Sequence, residues 1–230
     1  MDKFIKVKNI TKIFNPNSDV EIVGLKDINI ELKRGEFVVL NGPSGSGKTT
    51  LLNLIGGLDD ATSGEVIIDG INITTMSEDI LSIQRRDNIG FVFQAYNLVP
   101  VLTAHENIEY IMKLQGKSQK ECNKRVEEVA KKLNIETLLN KLPSHLSGGQ
   151  QQRVAVARAV ASKPKLILAD EPTANLDSVS ANELMDMMEI LNEEENITII
   201  FSSHDPMVIN KAKRSIVLKD GKVFKNEIIS

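Results

Sequence analysis

Tryptophan is absent from this 230-residue sequence, aromatic residues of all kinds make up only 4% of it, and there is one cysteine, Cys122. A single thiol excludes an intrachain disulfide, so the chain depends on its core for stability and suits a reducing compartment. Cys122 reads as a small, half-buried helix residue rather than a reactive group. No stretch approaches the ~18 consecutive apolar residues of a membrane span. The start, MDKFIKVKNI, is charged from its second residue and lacks the apolar core of a secretory signal. A soluble, intracellular chain is the expectation, and Asn72-Ile73-Thr74 and Asn196-Ile197-Thr198 are then chance matches to a glycosylation pattern. There is no basic excess either: 28 Lys and Arg against 31 Asp and Glu leave a net charge of -3. That balance gives no electrostatic reason to expect nucleic acid or an anionic membrane surface as the main partner.

What is present is ordinary globular composition, 41% hydrophobic and 26% charged, in a chain long enough to bury a sizeable core. The first third carries the period-2 and β-branched signals of strands in FIKVKNI, LKDINIEL and EVIIDG. Glu36 to Leu40, EFVVL, is a short apolar run that enters a glycine-rich loop; TTLLNLIGGL leaves it as a helix closed by Gly56 and Gly57. The middle differs in kind. Thr103 with Glu106 and Ser118 with Glu121 are capping-box starts, and Val126, Val129, Ala130 and Leu133 share one helix face. Roughly Ala95 to Ala161 therefore reads as helical. The last third returns to α/β, with a strand KLILAD, a helix near Ser178 to Glu195, a strand ITIIFSS and a hairpin turning at Asp220-Gly221. The acidic run Glu193 to Glu195 reads as a solvated helix end. The organisation is an α/β core interrupted by a helical block, with no internal repeat.

Two segments announce phosphate chemistry. Gly42-Pro43-Ser44-Gly45-Ser46-Gly47-Lys48-Thr49 fits G-x-x-x-x-G-K-[ST] in the required strand–loop–helix context. Its glycines allow backbone N–H groups to converge on phosphate oxygens. Lys48 is placed to reach the β- and γ-phosphates, Thr49 to ligate Mg²⁺, and Thr50 to add a hydroxyl nearby. A hundred residues later Ser147-Gly148-Gly149-Gln150 opens another helix, a second anion cradle. Asp170 and Glu171 end the apolar strand Leu166 to Ala169, at the sheet edge where ligands bind in open α/β folds. Adjacent carboxylates there invite a division of labour, Asp170 toward the metal and Glu171 toward the attacking water. His204 closes the strand Ile197 to Ser203, and Gln94 follows IGFVF at a similar edge; by themselves both are weak signals.

In this order, Gly42 to Thr49, Gln94, LSGGQ at Leu146 to Gln150, Leu166 to Glu171, Asp177 and His204, the sequence resembles the ATP-binding cassette (ABC) ATPases over essentially its whole length. LSGGQ is the specific element, absent from other P-loop families. The resemblance implies an α/β fold with a P-loop, RecA-like core, an antiparallel β subdomain and an inserted all-helical signature subdomain. The core lobe would span about 1–94 and 162–230 and the helical subdomain about 95–161. It implies ATP and Mg²⁺ as ligands and a head-to-tail homodimer in which Ser147 and Gly149 contact the γ-phosphate of ATP held by the other subunit's P-loop. By the same resemblance Asp170 matches the Mg²⁺-linked aspartate, Glu171 the catalytic glutamate, His204 the γ-phosphate-sensing histidine and Gln94 the Q-loop residue near Mg²⁺ and water. Phe14 falls where an adenine-stacking aromatic is placed, usually tyrosine; Phe keeps the π face and loses the hydroxyl. Asp177 matches the D-loop aspartate, although its lead-in Ala174-Asn175 departs from the commonest form.

A finer resemblance, carried by LNLIGGLDDATSGEVIIDG, RRDNIGFVFQAYNLVPVLTAHENI and LILADEPT, is to the ATPase subunits of the lipoprotein-release, macrolide-efflux and antimicrobial-peptide-resistance group. It implies a separate membrane permease docking near Gln94 to Val101, and a cytoplasmic chain peripheral to the inner face of the membrane. With about 26 residues after His204, no appended regulatory domain is expected. Two alternatives stand beside this reading: an ABC ATPase that regulates a membrane protein in cell-wall remodelling without transport, and a soluble ABC ATPase acting on nucleic acid. The second is disfavoured because the chain is not basic.

Overall fold

The computed structural model describes residues 3–16, 18 and 20–229. In chain order its elements are β1 (Lys3–Phe14), β2 (Ile22–Lys33), β3 (Phe37–Asn41), α1 (Lys48–Ile55), β4 (Ser63–Ile68), β5 (Ile71–Asn72), α2 (Glu78–Asn88) and β6 (Ile89–Val92). There follow α3 (Ala104–Leu114), α4 (Gln119–Lys132), α5 (Gly148–Ala161), β7 (Leu166–Ala169), α6 (Ser178–Glu195), β8 (Thr198–Ser202), α7 (Pro206–Ile209), β9 (Arg214–Lys219) and β10 (Lys222–Ile228). Two sheets form. One is antiparallel with strand order β2-β1-β4-β5; the other has order β10-β9-β3-β8-β7-β6, parallel except for the β9–β10 hairpin.

The parallel sheet lies between two cores, and side-chain alternation assigns each residue to a side. Phe37 and Val39 of β3 join Ile199 and Phe201 of β8 in a cluster with α3, α4, α5 and α6. Val38, Leu40 and Ile200 face the other way, into a cluster with α1 and the antiparallel sheet. The rings of Phe37 and Phe201 meet 5.1 Å apart, within the range of a favourable aromatic pair. The turn expected at Asp220-Gly221 is there: both residues have positive φ, 49° and 70°, and Lys219 pairs with Lys222 across it, as a two-residue hairpin loop requires.

Residues 104–161 hold three α-helices and two short 3-10 turns, Glu136–Leu138 and Pro143–His145, and three capping boxes fix where the α-helices start. Thr103 with Glu106, Ser118 with Glu121 and Ser147 with Gln150 each exchange side-chain and backbone bonds, satisfying two first-turn donors apiece. Val126, Val129, Ala130 and Leu133 are fully buried, and so is Cys122, which was expected only half-buried. Helix α2 has no counterpart in the sequence reading. The acidic run is corrected in part: Glu193 and Glu194 are exposed, though each meets a lysine, Lys213 and Lys132, whereas Glu195 is largely shielded and accepts hydrogen bonds from Arg125 and Lys132. Arg125 is buried and donates besides to the carbonyls of Val160 and Ala161, so the end of α6 is tied to α4 and α5.

Candidate active site

The loop Gly42 to Gly47 leaves the central strand β3 and feeds α1. Its shape depends on glycine at two positions. Gly42 has φ 140°, and a Cβ there would lie 2.1 Å from the Leu218 carbonyl oxygen. Gly47, the residue before α1, has φ 102° and its Cβ would lie 2.6 Å from Leu25 and 2.9 Å from the Gly24 carbonyl. Gly45, also at positive φ, faces open space, and Pro43 and Ser44 are exposed beside it. Ser46 is buried, and its hydroxyl has no protein partner among the described residues. Lys48 is 6% exposed; its ammonium donates to the carbonyls of Gly42 and Pro43 at 2.9 and 3.1 Å, which holds it along the loop. The first-turn N–H groups of α1, those of Lys48, Thr49 and Thr50, have no intrahelical acceptors and border this concavity. Open space at Gly45, orphan N–H donors and a fixed cation fit a polyphosphate.

Opposite the loop stand the ends of β7 and β8. Asp170 accepts hydrogen bonds from the Thr49 hydroxyl at 2.9 and 3.1 Å and from Ser202 at 2.7 Å. A hydroxyl and a carboxylate at this separation are the hard oxygen donors that Mg²⁺ takes, alongside water and phosphate. Glu171 stands at φ 46° without being glycine, a left-handed conformation that persists only where neighbours hold it. Its N–H donates to the Ser202 hydroxyl at 2.8 Å. Its carboxylate oxygens lie 3.2 and 3.1 Å from His204 Nδ1, and the imidazole is largely exposed. Ser202, which the sequence reading missed, thus joins both residues, donating to the Asp170 carboxylate and accepting from the Glu171 backbone N–H. Its signal was a pair of serines, Ser202 and Ser203, ending an otherwise apolar strand.

The remaining candidates divide. Phe14, 37% exposed at the end of β1, lies against Gly24, whose Cβ would be 2.6 Å from its ring. Gly24 also touches Gly47, so ring and loop meet the same stretch of β2. The Lys12 ammonium sits 5.2 Å from the Phe14 ring centroid. Gln94 is exposed just past β6, with its carbonyl accepting from Asn175 at 3.0 Å. Asp177 caps α6 by accepting from the N–H groups of Val179 and Ser180. The backbone bond from Ser180, with its hydroxyl bond, holds the Asp177 carboxyl below the usual range.

The signature stands apart from the P-loop in its contacts. Ser147 is exposed at the start of α5, accepting from the Gln150 N–H at 3.3 Å while Gln150 Oε1 accepts from the Ser147 N–H at 3.0 Å. The Ser147 hydroxyl proton remains available to an anion. Gly148 lies against Tyr96 and Asn175, and Gly149 against Ser180 and Leu176. Between the core and α3 runs a groove of about 400 Å³ lined by Leu58, Phe91, Phe93, Tyr110, Leu114 and Arg158. Among the described residues no helix is long and apolar enough to cross a membrane.

The ABC transporter family matches residues 25–174. An uncharacterized ABC transporter ATP-binding protein of Methanocaldococcus jannaschii, MJ0796, is 48% identical, over 97% of this chain and 96% of that protein. The lipoprotein-releasing system ATP-binding protein LolD 1 of Chlorobium chlorochromatii is 42% identical over 95% of this chain and 89% of that one. A putative hemin import ATP-binding protein, HrtA, of Staphylococcus epidermidis is 44% identical over 94% and 97%. The fold is similar to a dimeric post-hydrolysis structure of the MJ0796 cassette bound to ADP and Pi, with TM-score 0.91 and 46% identity over 98% of this chain and 99% of that one. With the phosphate loop, the paired carboxylates and the signature helix all in one cassette fold, the chain belongs to the ABC transporter family as its ATP-binding, ATPase component.

Proposed function

We propose that two copies of this chain close head to tail around two ATP molecules and drive a separate membrane permease. The observation that carries this is the separation of the two cradles: the atoms nearest to Gly148 and Gly149 belong to Tyr96, Asn175, Leu176 and Ser180, none of them in the P-loop. A second phosphate device that does not touch its own chain's P-loop suits a nucleotide held by another copy, and a two-fold axis then completes both sites at once. ATP becomes part of the interface, so nucleotide binding and dimer closure form one linked equilibrium.

Within each site Lys48 and the first-turn N–H groups of α1 would bind the phosphates, Thr49 and Asp170 would hold Mg²⁺ with Gln94 close by, and Phe14 would stack on adenine. Mg²⁺ bound there would supply charge neutralisation to the nucleotide's phosphates. Glu171, oriented through Ser202 and His204, accepts a proton from the attacking water; His204 also faces the γ-phosphate, and Asp177 stands at the interface beside the signature. The groove lined by Phe91, Phe93 and Leu114 is the seat for a permease helix, apolar with a polar margin. The LolD relative, named for lipoprotein release, supports an exporter-like or lipoprotein- or peptide-handling partner, whereas the HrtA relative is named for hemin import; the chain is then peripheral to the cytoplasmic face of the membrane.

Light scattering after gel filtration of Glu171→Gln, with and without Mg-free ATP, tests the assembly. A shift from monomer to dimer only with ATP is expected. A monomer with ATP bound stoichiometrically would overturn the shared-nucleotide reading.

A further inference from the structure

Immediately after Gln94 the backbone does something that its residues disfavour. Tyr96 and Asn97 are successive non-glycine residues at φ 62° and 49°, both in the left-handed region that side chains make costly, asparagine least. A turn of this kind persists only if its surroundings hold it. Arg158, three residues before the end of α5, supplies that hold: its guanidinium donates to the Tyr96 carbonyl at 3.0 Å and to the Asn97 carbonyl. Among the described residues Arg158 has no carboxylate partner, and burial pulls its pKa below the ordinary value. A half-buried guanidinium whose protein partners are two carbonyls is committed to those carbonyls, because a fork of fixed donors is what Arg offers and Lys does not. The same segment has two further contacts with its surroundings. Tyr96 Oη lies where a Gly148 Cβ would be 2.8 Å away, and Asn175 donates to the Gln94 carbonyl.

We propose that Arg158 is a positioning residue for hydrolysis: by gripping the carbonyls of Tyr96 and Asn97 it holds the left-handed turn that sets Gln94 beside the nucleotide. The signature helix is thereby fastened to the segment that carries the water- and metal-facing amide. This rests on the assignment of Gln94 to the nucleotide site. Arg158 also lines the groove under Phe91 and Phe93, so an occupant of the groove would bear on the same grip.

Steady-state kinetics of the full chain test it. Arg158→Lys keeps the charge but removes the fork; kcat for ATP is expected to fall about 5- to 20-fold with KM within about twofold, since the P-loop is untouched. Adding Asn97→Gly in that background should restore kcat to within about threefold of the parent, because glycine adopts left-handed backbone without penalty. Asn97→Val leaves Arg158 in place and burdens the turn instead; kcat should fall about 3- to 10-fold at unchanged KM. If Arg158→Lys fails to fold, Asn97→Val decides alone. Unchanged kcat in Asn97→Val, or loss in Arg158→Lys that Asn97→Gly does not relieve, would overturn the proposal. Gln94→Ala separates the two readings: full kcat there removes the Gln94 assignment and the proposal with it, whereas lost kcat beside a normal Asn97→Val removes the Arg158 proposal only.

Discussion

Arg125→Met removes the cation that ties α4 and α5 to the end of α6. The Arg125 and Glu195 side chains are 10% and 16% exposed, so the pair is largely shielded from water and salt. Breaking a buried pair by deleting one partner costs about 3–5 kcal/mol, mostly because the other charge is left uncompensated. Lys132 stays on Glu195 at 2.9 Å, which favours the low end, about 3 kcal/mol. The Ala161 carbonyl loses that donor as well, while the Val160 carbonyl keeps the Lys163 N–H. For a chain of this size each kcal/mol corresponds to roughly 2–4 °C, so calorimetry should show Tm lowered by about 6–12 °C. Glu195→Gln in the Arg125→Met background should return part of this by removing the stranded charge. The sign with pH follows from Glu195. Burial raises its pKa, but the hydrogen bonds and charges of Arg125 and Lys132 outweigh that and hold it below the unfolded value of 4.5. The stabilisation is therefore complete above pH 4.5 and is lost as pH falls through the lower, folded value. The gap between parent and Arg125→Met should be constant from pH 6 to 7 and shrink in acid. A Tm change under about 2 °C, or a gap that widens in acid, would refute the reasoning.

Glu171→Gln should lower ATP turnover about 10²- to 10⁴-fold while ATP affinity stays within about twofold, the range for a lost general base; phosphate release within threefold of the parent would remove Glu171 from that role. Ser147→Arg should leave ATP binding to the monomer intact and block ATP-driven dimerisation, measured by titration and light scattering; loss of monomer binding would place Ser147 in its own chain's site. Gly42→Ala should weaken ATP binding more than tenfold, since a Cβ 2.1 Å from the Leu218 carbonyl forces the loop to move; undiminished affinity would mean that the loop adapts.

The phosphate loop, the carboxylates at the end of β7 and the starts of α3, α4 and α5 were legible in the sequence because each rests on local chemistry: a glycine spacing, an apolar run ended by acids, a Ser or Thr three residues before Glu or Gln. What escaped depends on distance along the chain or on conflict with local preference. Helix α2 buries only Leu81 while Ile80 and Ile83 stay exposed, so its apolar residues mark no core stripe. The acidic end of α6 looked solvated because its cations, Arg125 and Lys132, stand about seventy residues earlier. Ser202 gained meaning only when β8 was laid beside β7. The left-handed turns at Glu171 and at Tyr96-Asn97 contain no glycine, and only Asn97 among their residues favours such backbone.

Helix α5 has a different role at each end. Its first turn is the signature, capped by Ser147, and its last carbonyls are held by Arg125. Fourteen residues at 1.5 Å each make a rod of about 21 Å, buried along most of its length. Packed interiors resist compression, so if a partner's nucleotide presses on Ser147 as proposed above, the displacement is carried along a stiff rod to where α5 meets α4 and α6. The geometry thus allows chemistry at the dimer seam to be felt at the far flank of the molecule without any large change in its own fold.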